Sequence, residues 1–536
     1  MPRMQKERMF GSAVWVVLLV LAGGATSRAQ EGAGALLPEV QAAIAAAAEQ
    51  TAGMLTQLQG RTGLPRTFER EQLRLVTATD WTSGFFPGEL WMLYEATGET
   101  RWREAAVRYT AMVEPAKTLR TTHDLGFILG GSFGQGLRLT GSMAYRDVLL
   151  TAAASLATRF NSAVGCTRSW DFGTWKFPVI IDNMMNLELL TWAARAGGGA
   201  RLAEMAASHA ERTRLNHFRA DASSWHVVDY DPATGAVLGK QTYQGAADGS
   251  AWARGQAWGL YGYTMMYRET RRPELLDQAG RIARFLAQHP RLPADKVPYW
   301  DFDAPGIPNT PRDSSAAAIM ASALMELAGF TGGEVGRGHL TLAEGILRSL
   351  MSPAYRAARG QNGGFLLMHA TGSFPGSSEI DVPLVYGDYY YLEALLRYRM
   401  RFAEPARLAN LSTRGWVGAG DQVLIGGLVV GGGTSRTVLI RALGPALVAL
   451  GVPGVLADPR LRLYRGADLV AENDNWGGDP LAVAAARTAG AFAVTDIAGK
   501  DAMLLLTLPP GAYTAQVSGE GGATGLALLE AYELRE

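Results

Sequence analysis

Two aspartates, each at the start of a predicted helix, have the type and placement for acid–base chemistry. Asp124 follows His123, and Asp182 lies between the apolar residues 179–181 and 184–185. An aspartate in front of a helix is usually an N-cap that accepts backbone N–H bonds. The apolar neighbours of Asp182 favour a desolvated carboxylate instead, and burial beside a second carboxylate raises a pKa. The pattern therefore predicts a general acid for neutral pH, provided that the two carboxylates meet.

Aromatic and cationic side chains in other loops are suited to binding a sugar acid. Arg254 lies between Trp252 and Trp258, so its guanidinium could hold a carboxylate beside aromatic faces on which a sugar ring stacks. The alternative is a helix residue whose stem covers a buried tryptophan. His226 is likewise either a site residue or a core histidine with satisfied hydrogen bonds. The 13 Trp residues are typical of a large core or of a sugar-stacking cleft.

Several kinds of chemistry lack their signatures in this sequence. No His-x-x-x-His or carboxylate–His ligand spacing appears, so we expect no catalytic metal and no cofactor. The letters of a serine nucleophile elbow occur at 130–134, but inside a helical run rather than after a strand. Fifty basic residues balance fifty acidic ones, which excludes a broad nucleic-acid footprint. The single Cys166 excludes an intramolecular disulfide and a cysteine-built zinc site, and a buried thiol is expected.

The N-terminus has the pattern of an export signal. Arg3, Lys6 and Arg8 precede an apolar run at 11–22, which is followed by small residues. This run is shorter than the roughly 20 residues of a membrane-spanning helix. The alternative, an uncleaved anchor, is disfavoured because no second apolar segment follows. We therefore predict a signal peptide over 1–29 and an exported protein, periplasmic or extracellular, without a membrane span after its removal.

The elements that must position these residues are mostly helical. Apolar residues recur at helical spacing throughout 36–401, and Gly-rich stops follow several of the runs. The pattern predicts about twelve paired helices, which must stack into a solenoid or a closed ring to bury their apolar faces. A closed ring would place its site in the loops between helices. The predicted helices are 40–58, 85–96, 101–116, 125–139, 144–160, 183–195, 201–218, 253–269, 273–288, 314–329, 340–351 and 386–401.

The composition changes after Pro405. Residues 410–536 are rich in Gly, Val and Leu, with short alternating runs at 422–430, 436–441, 461–464 and 513–517. Such runs predict a small all-β sandwich as a separate domain. The acidic run 472–475 is either a calcium site or a turn, and the turn is favoured. We expect this domain to bind a glycan or a cell-surface partner, or only to cap and space the rest of the protein.

Several long blocks of the helical region resemble one family. They are similar, in the same order, to the unsaturated glucuronyl hydrolases of glycoside hydrolase family 88, and the resemblance spans most of 36–400. The resemblance implies a mainly α fold, with an (α/α)6 barrel over 36–403 followed by the all-β domain at 410–536. The blocks are DWTSGFFPGELW (80–91), HDLGF (123–127), RSWDFGTWKFPVIIDNMMNLELL (168–190), WARGQAWGLYGY (252–263) and EIDVPLVYGDYYYLEALLR (379–397).

The resemblance also implies an activity and a set of site residues. The activity is removal of a Δ4,5-unsaturated glucuronic acid from the non-reducing end of polysaccharide-lyase products, by acid-catalysed hydration of the C4=C5 vinyl ether. Asp182 matches the general acid and base of the family, and Asp124 matches its partner carboxylate. The chain departs from the family at Tyr243, where many members have His, which leaves the preference for the neighbouring sugar open. The positions that match substrate contacts are Trp81, His123, His226, Gln244, Trp252, Arg254 and Trp258.

Two other functions fit the same region. One is an unsaturated rhamnogalacturonyl hydrolase on the same barrel. The other is a non-catalytic glycan-binding protein on a degenerate barrel, and the presence of both Asp124 and Asp182 argues against it.

Overall fold

The structure is a computed structural model, which describes residues 34–403 and 410–534. The predicted signal peptide at 1–29 lies outside the described residues. Twelve helical segments of the first region alternate between an outer and an inner layer. The outer helices are α1 (Leu37–Gln57), α3 (Thr100–Val113), α5 (Met143–Ala157), α7 (Ala200–Asn216), α9 (Pro273–Gln288) and α11 (Gly333–Met351). The inner helices are α2 (Phe85–Thr97), α4 (Gln135–Thr140) with the π-helical segment Gly126–Gly134 before it, α6 (Asn183–Ala193), α8 (Ala253–Thr270), α10 (Ser314–Thr331) and α12 (Val385–Phe402).

The inner helices form a closed ring. Each contacts the next along the chain, and α12 contacts α2 to complete the circle. This arrangement confirms the predicted (α/α)6 barrel and excludes the open solenoid. The twelve predicted segments all occur as helices, with ends that shift by up to seven residues.

Burial patterns explain which helices lie inside. The outer helix α9 buries a single stripe, from Leu275 to Leu286 at helical spacing, and leaves its other face in solvent. The inner helix α10 is buried on nearly all sides because helices surround it. This 18-residue helix is also apolar enough to cross a membrane by length and composition, but 78% of it is buried inside the barrel. It is therefore a core helix of the barrel.

Short strands lie at the end of the barrel where the inner helices begin. Antiparallel pairing brings Ile180 opposite Val227, next to the start of α6. A second hairpin, β8–β9, lies over the starts of α8 and α10. Arg254 of α8 donates to the backbone oxygens of Thr371 and Gly372 on β8 and also binds Asp313, the N-cap of α10. The strands of this region are β1 (Leu64–Glu69), β2 (Gln72–Val76), β3 (Phe160–Asn161), β4 (Cys166–Thr167), β5 (Pro178–Ile180), β6 (Val227–Tyr230), β7 (Val237–Gln241), β8 (Ala370–Ser373) and β9 (Ser378–Val382).

Residues 410–534 form two antiparallel four-stranded sheets, in the orders β10-β17-β12-β15 and β11-β16-β13-β14. Alternate side chains such as Ile440 and Leu463 fill the space between the sheets. The helix α13 (Pro480–Thr488) was not predicted, and it packs its alanines near Trp476. The strands are β10 (Asn410–Val417), β11 (Leu424–Val430), β12 (Arg436–Leu443), β13 (Pro459–Arg465), β14 (Asp468–Asn473), β15 (Ala502–Leu508), β16 (Gly511–Gly519) and β17 (Gly525–Glu533).

Candidate active site

Asp182 occupies the N-cap position of α6, but its side chain makes no capping bond to that helix. The residue is only 9% exposed, between Ile181 and Met184, which are fully buried. Burial raises the pKa of the Asp182 carboxyl to about 7. The positive charge of Arg254 opposes this rise, and the negative charge of Asp124 adds to it. The carboxyl is thus poised to give and take a proton near neutral pH.

A close approach of two inner segments brings Asp124 to the same place. The backbone N–H of Phe127 donates to the Asn186 side-chain oxygen at 3.0 Å. A Cβ on Gly126 would lie 2.7 Å from the Asn186 Cα, so only glycine permits this contact. The π-helical segment and α6 therefore begin side by side, and both aspartates lie at the same end of the barrel.

His226 has a defined tautomer. Its Nδ1 accepts the backbone N–H groups of Tyr243 and Gln244, both at 3.1 Å. Burial lowers the pKa of His226 to about 3, and the nearby charge of Arg254 adds to the effect. The ring is therefore neutral, and its hydrogen must be on Nε2. That atom lies 3.6 Å from Asp182 Oδ2.

His123 has the opposite tautomer. Its Nδ1 donates to the backbone oxygen of Ser169 at 2.9 Å, because a carbonyl can only accept. Burial lowers the pKa of His123, so the neutral ring has a lone pair on Nε2. This Nε2 lies 3.2 Å from Asp124 Oδ1. Two acceptors thus face each other, an arrangement suited to a shared proton or to a substrate hydroxyl that donates to both.

Several buried polar atoms around the site have no hydrogen-bond partner among the described residues. Buried polar atoms normally have hydrogen-bond partners, since leaving one unpaired costs about 1–3 kcal/mol. The indole N–H of Trp258 is near enough to Asp182 to lower its pKa slightly, but the two are not in hydrogen-bond geometry. Such atoms are suited to hydrogen bonds with the hydroxyl groups of a ligand. The buried atoms without a partner here include Asp182 Oδ2, His123 Nε2, His226 Nε2, Trp258 Nε1, Trp170 Nε1 and Tyr386 Oη.

Arg254 is the buried cation of the site, with 1% exposure. Its guanidinium donates to Asp313 at 2.8 Å and to the backbone oxygens of Thr371 and Gly372, both at 2.5 Å. It also lies over the Trp252 ring, 4.6 Å from the centroid. Much of the guanidinium is therefore occupied by the protein. Its position is fixed, and its charge acts on both Asp182 and His226.

Aromatic rings line the rest of the site. Trp81 packs against Tyr386 at 4.8 Å between ring centroids, and Trp252 packs against His226 at 4.7 Å. Gln244 donates from its amide to the Gly372 oxygen at 3.1 Å. The structure thus places the nine residues singled out from the sequence around the starts of the inner helices. They are Trp81, His123, Asp124, Asp182, His226, Gln244, Trp252, Arg254 and Trp258.

The hairpin β8–β9 and Asp313 complete the site, although neither was among the candidate site residues of the sequence analysis. Asp313 caps α10 with one oxygen and binds Arg254 with the other. Arg66 ties Glu379 of the hairpin to Asp80, the neighbour of Trp81, at 2.5 and 2.8 Å. An Asp followed by two serines is typical of a helix N-cap, but nothing local indicated that the hairpin would reach Arg254. Among the described residues, no group of three His, Cys, Asp or Glu is placed to hold a metal ion.

Known proteins resemble this chain in sequence and in structure. The unsaturated glucuronyl hydrolase of Formosa agariphila is 46% identical over 343 residues, which are 63% of this chain and 85% of the relative. A crystal structure of an unsaturated glucuronyl hydrolase specific for heparin matches 68% of this chain and 98% of its own, at 45% identity and a TM-score of 0.66. The Bacillus sp. GL1 enzyme, described as responsible for the degradation of glycosaminoglycan, matches 68% and 97%, at 34% identity and a TM-score of 0.63.

No family model matches the sequence. The identity and coverage of these relatives are nevertheless decisive, and the barrel carries the residues on which the resemblance rests. This chain belongs to the unsaturated glucuronyl hydrolases and is a glycosidase.

Proposed function

We propose that this enzyme removes a Δ4,5-unsaturated glucuronic acid from the non-reducing end of polysaccharide-lyase products. The observation that carries the proposal is the buried Asp182 carboxyl, with a pKa of about 7, beside Asp124. The names of the relatives favour glycosaminoglycan products, since one is specific for heparin and another degrades glycosaminoglycan.

The substrate contains a vinyl ether, so the acid can act on carbon rather than on the glycosidic oxygen. Protonated Asp182 delivers its proton to C4, and the cation that develops at C5 is stabilised by the ring oxygen. The negative charge of Asp124 keeps the proton on Asp182 until the substrate is bound. This use of two carboxylates differs from the geometry of retaining and inverting glycosidases.

Water completes the reaction. It adds to C5 and gives a proton to the Asp182 carboxylate, which restores the acid. The hemiketal at C5 then opens to a ketone and leaves a hemiacetal at C1, which collapses to an aldehyde and releases the saccharide. His226 has an N–H at Nε2 directed toward Asp182, suited to holding a hydroxyl or the incoming water.

The direct test follows the loss of absorbance of the conjugated double bond. Wild type and Asp182→Asn are incubated with unsaturated disaccharides from glycosaminoglycan, ulvan and pectin lyases. We expect turnover of glucuronyl substrates by wild type, and a loss of about 1,000-fold or more in Asp182→Asn with binding retained. Asp277→Asn, on the exposed face of α9, is the matched control.

Two outcomes would contradict the proposal. Near wild-type turnover by Asp182→Asn would exclude it as the acid. Turnover of only the pectin-derived disaccharide would favour the unsaturated rhamnogalacturonyl hydrolase instead.

We also propose that the leaving sugar rests on an aromatic wall beside the site. Trp170 stacks on Phe172 at 4.8 Å, and Tyr243 lies 5.5 Å from Trp170 and 6.0 Å from Trp175. Phe172 is 52% exposed and Tyr243 is 49% exposed, so their faces are open to a ligand. The wall adjoins His226, since the Tyr243 N–H binds it. Tyr243 adds an uncharged ring, which favours a leaving sugar with an apolar face over a sulfated one.

Export remains a proposal that rests on the pattern of residues 1–29. Expression of the full gene in a bacterial host, with and without this segment, tests it. We expect a shortened enzyme in the periplasm or medium in the first case and a cytoplasmic enzyme in the second.

A glycan-binding or cell-surface role for the β-sandwich is likewise a proposal. Trp416 on the edge strand β10 is 61% exposed, and a stacking partner for a sugar ring would use such a side chain. The test compares how strongly Trp416→Ala and wild type are retained on the parent polysaccharide. Weaker retention of the variant is expected, and equal retention would contradict this role.

A further inference from the structure

The β-sandwich covers the end of the barrel opposite the candidate active site. A cavity of about 1740 Å³ lies there, lined by the inner helices and by Ser435, Trp476 and Leu505 of the sandwich. Phe85 and Phe127 line it and also contact Trp81, so they separate it from the candidate active site. None of the nine site residues lines this cavity.

The sandwich is an addition that the two solved relatives compared above lack. The matched 68% of this chain corresponds to 98% of the heparin-specific enzyme and 97% of the Bacillus enzyme. Almost no residues of those two proteins are left over to form a counterpart of the sandwich. In this chain the far ends of the inner helices therefore have contacts that the family barrel does not require.

One set of contacts holds the turn after α2. Arg103 donates to the backbone oxygens of Leu469 and Val470, at 2.9 and 2.8 Å. Arg465 donates to the backbone oxygen of Gly98, the left-handed residue that ends α2 at φ 67°. A Cβ on Gly98 would overlap the Arg465 guanidinium. The turn thus fits closely against β13 and β14.

A second set holds α4. Gly141, in left-handed conformation at φ 65°, ends this helix, and a Cβ there would lie 3.2 Å from the Leu505 backbone oxygen on β15. The buried Glu95 of α2 accepts hydrogen bonds from Arg138 of α4 and from Ser435 of the sandwich. The pKa of Glu95 would rise on burial, but these partners lower it, so the charged pair is maintained.

The two inner segments held in this way begin next to Trp81 and Asp124. The second combines a π-helical segment that contains four glycines with the six-residue α4. Glycine lowers helix stability, and π-helices are rare and short. The segment that presents Asp124 therefore gains from support at its far end.

We propose that the β-sandwich braces the barrel. It holds the ends of α2 and α4 that are far from the site, and it thereby fixes the positions of Trp81 and Asp124. Arg103 and Arg465 are positioning residues in this scheme, since they touch neither substrate nor the site. The effect on catalysis rests on the proposed function of Asp124, whereas the effect on helix order does not.

The experiment uses the full chain with Arg465→Ala, which removes the bond to the turn after α2, with Ser435→Ala, which removes the sandwich's bond to Glu95 beside α4, and with the double variant of these two. Backbone amide exchange is measured for residues 92–98 and 126–140. We expect exchange about tenfold faster in the double variant, because sub-global opening no longer breaks the contacts with the sandwich. The matched controls are Arg462→Ala, whose partner Glu472 lies within the sandwich, and Arg101→Ala, whose partner is Glu99. Both controls should exchange like wild type.

The pH profile of kcat supplies the second readout. Displacement of Asp124 should shift the midpoint of the double variant in the direction that Asp124→Asn shifts it. Unchanged exchange at 126–140 would overturn the brace, whatever the activity. If Asp124→Asn itself left the midpoint of the kcat profile unchanged, the proposed role of Asp124 would be wrong. The amide exchange at 126–140 would still decide whether the sandwich acts as a brace. Thr100→Ala, which removes only the 2.7 Å bond to Asp468, is the mild variant should the double variant not fold.

Discussion

His226 Nε2 lies 3.6 Å from Asp182 Oδ2, with its hydrogen directed to the side of the acid because Nδ1 accepts two backbone N–H groups. The pKa of His226 is about 3 and that of Asp182 about 7, both because of burial. Asp182 is therefore the member of the pair whose charge changes near neutral pH. A neutral donor and a protonated acid face the space where the substrate would bind.

The first prediction concerns the pH dependence of turnover. Since the reaction needs protonated Asp182, kcat should fall as the pH rises through about 7. Asp124→Asn removes a negative charge that raises this pKa, so the midpoint should move to lower pH. The measurement is kcat from pH 5 to 9, read as loss of the double-bond absorbance. Asp147→Asn, on the exposed face of α5, is the control, and a midpoint that stays in place in Asp124→Asn would refute the interaction.

The second prediction concerns stability. The folded pKa of Asp182 is raised to about 7 from 3.8, so folding favours its protonated form. Its contribution is fully present below the unfolded pKa and is lost as the pH rises through about 7. Asp182→Asn should therefore unfold at a temperature about 2 °C or more above wild type at pH 8, with no gain at pH 4. Asp277→Asn should show neither effect, and an equal gain at both pH values would count against the assignment.

The third prediction concerns the buried pair of Arg254 and Asp313. Arg254→Ala leaves a fully buried carboxylate without its cation, which should cost about 3–5 kcal/mol of unfolding free energy. Substrate affinity should fall as well, because the charge beside Asp182 is lost. Arg254→Lys should recover much of the unfolding free energy. Its KM should stay above that of wild type, since a single ammonium cannot replace the planar guanidinium.

The exposed pair of Arg291 and Asp303 offers the comparison for this measurement. Arg291→Ala should cost less than about 1 kcal/mol in the same denaturant titration. Equal losses in the two alanine variants would show that Arg254 has no special structural role.

The fourth prediction concerns the aromatic wall. Tyr243→Ala and Phe172→Ala should each raise KM for an unsaturated disaccharide by about 3- to 10-fold, with kcat little changed, because a stacking face is lost. Tyr243→Phe keeps the ring and should stay close to wild type. Trp416→Ala on the β-sandwich removes another exposed ring and should leave this KM unaltered. An unchanged KM in both wall variants would place the leaving sugar elsewhere.

Much of the architecture follows from local patterns in the sequence. Helical spacing of apolar residues located the twelve barrel segments, since the period of a helix does not depend on distant residues. Alternation located four of the eight strands of the sandwich, β11, β12, β13 and β16, for the same reason. The apolar neighbours of Asp182 indicated a desolvated acid, and burial indeed raises its pKa. The helix α13 was missed because it is a short insertion among strands.

The tertiary structure alone decided how these parts meet. Gly126 and Asn186 touch only once the ring has closed, and that contact sets Asp124 near Asp182. Arg254 is held by Gly372, more than a hundred residues away, and the tautomer of His226 depends on backbone groups of another loop. The sequence determined the elements because periodicity is local. It did not determine the site because that depends on contacts between loops, whose geometry is set by closure of the barrel.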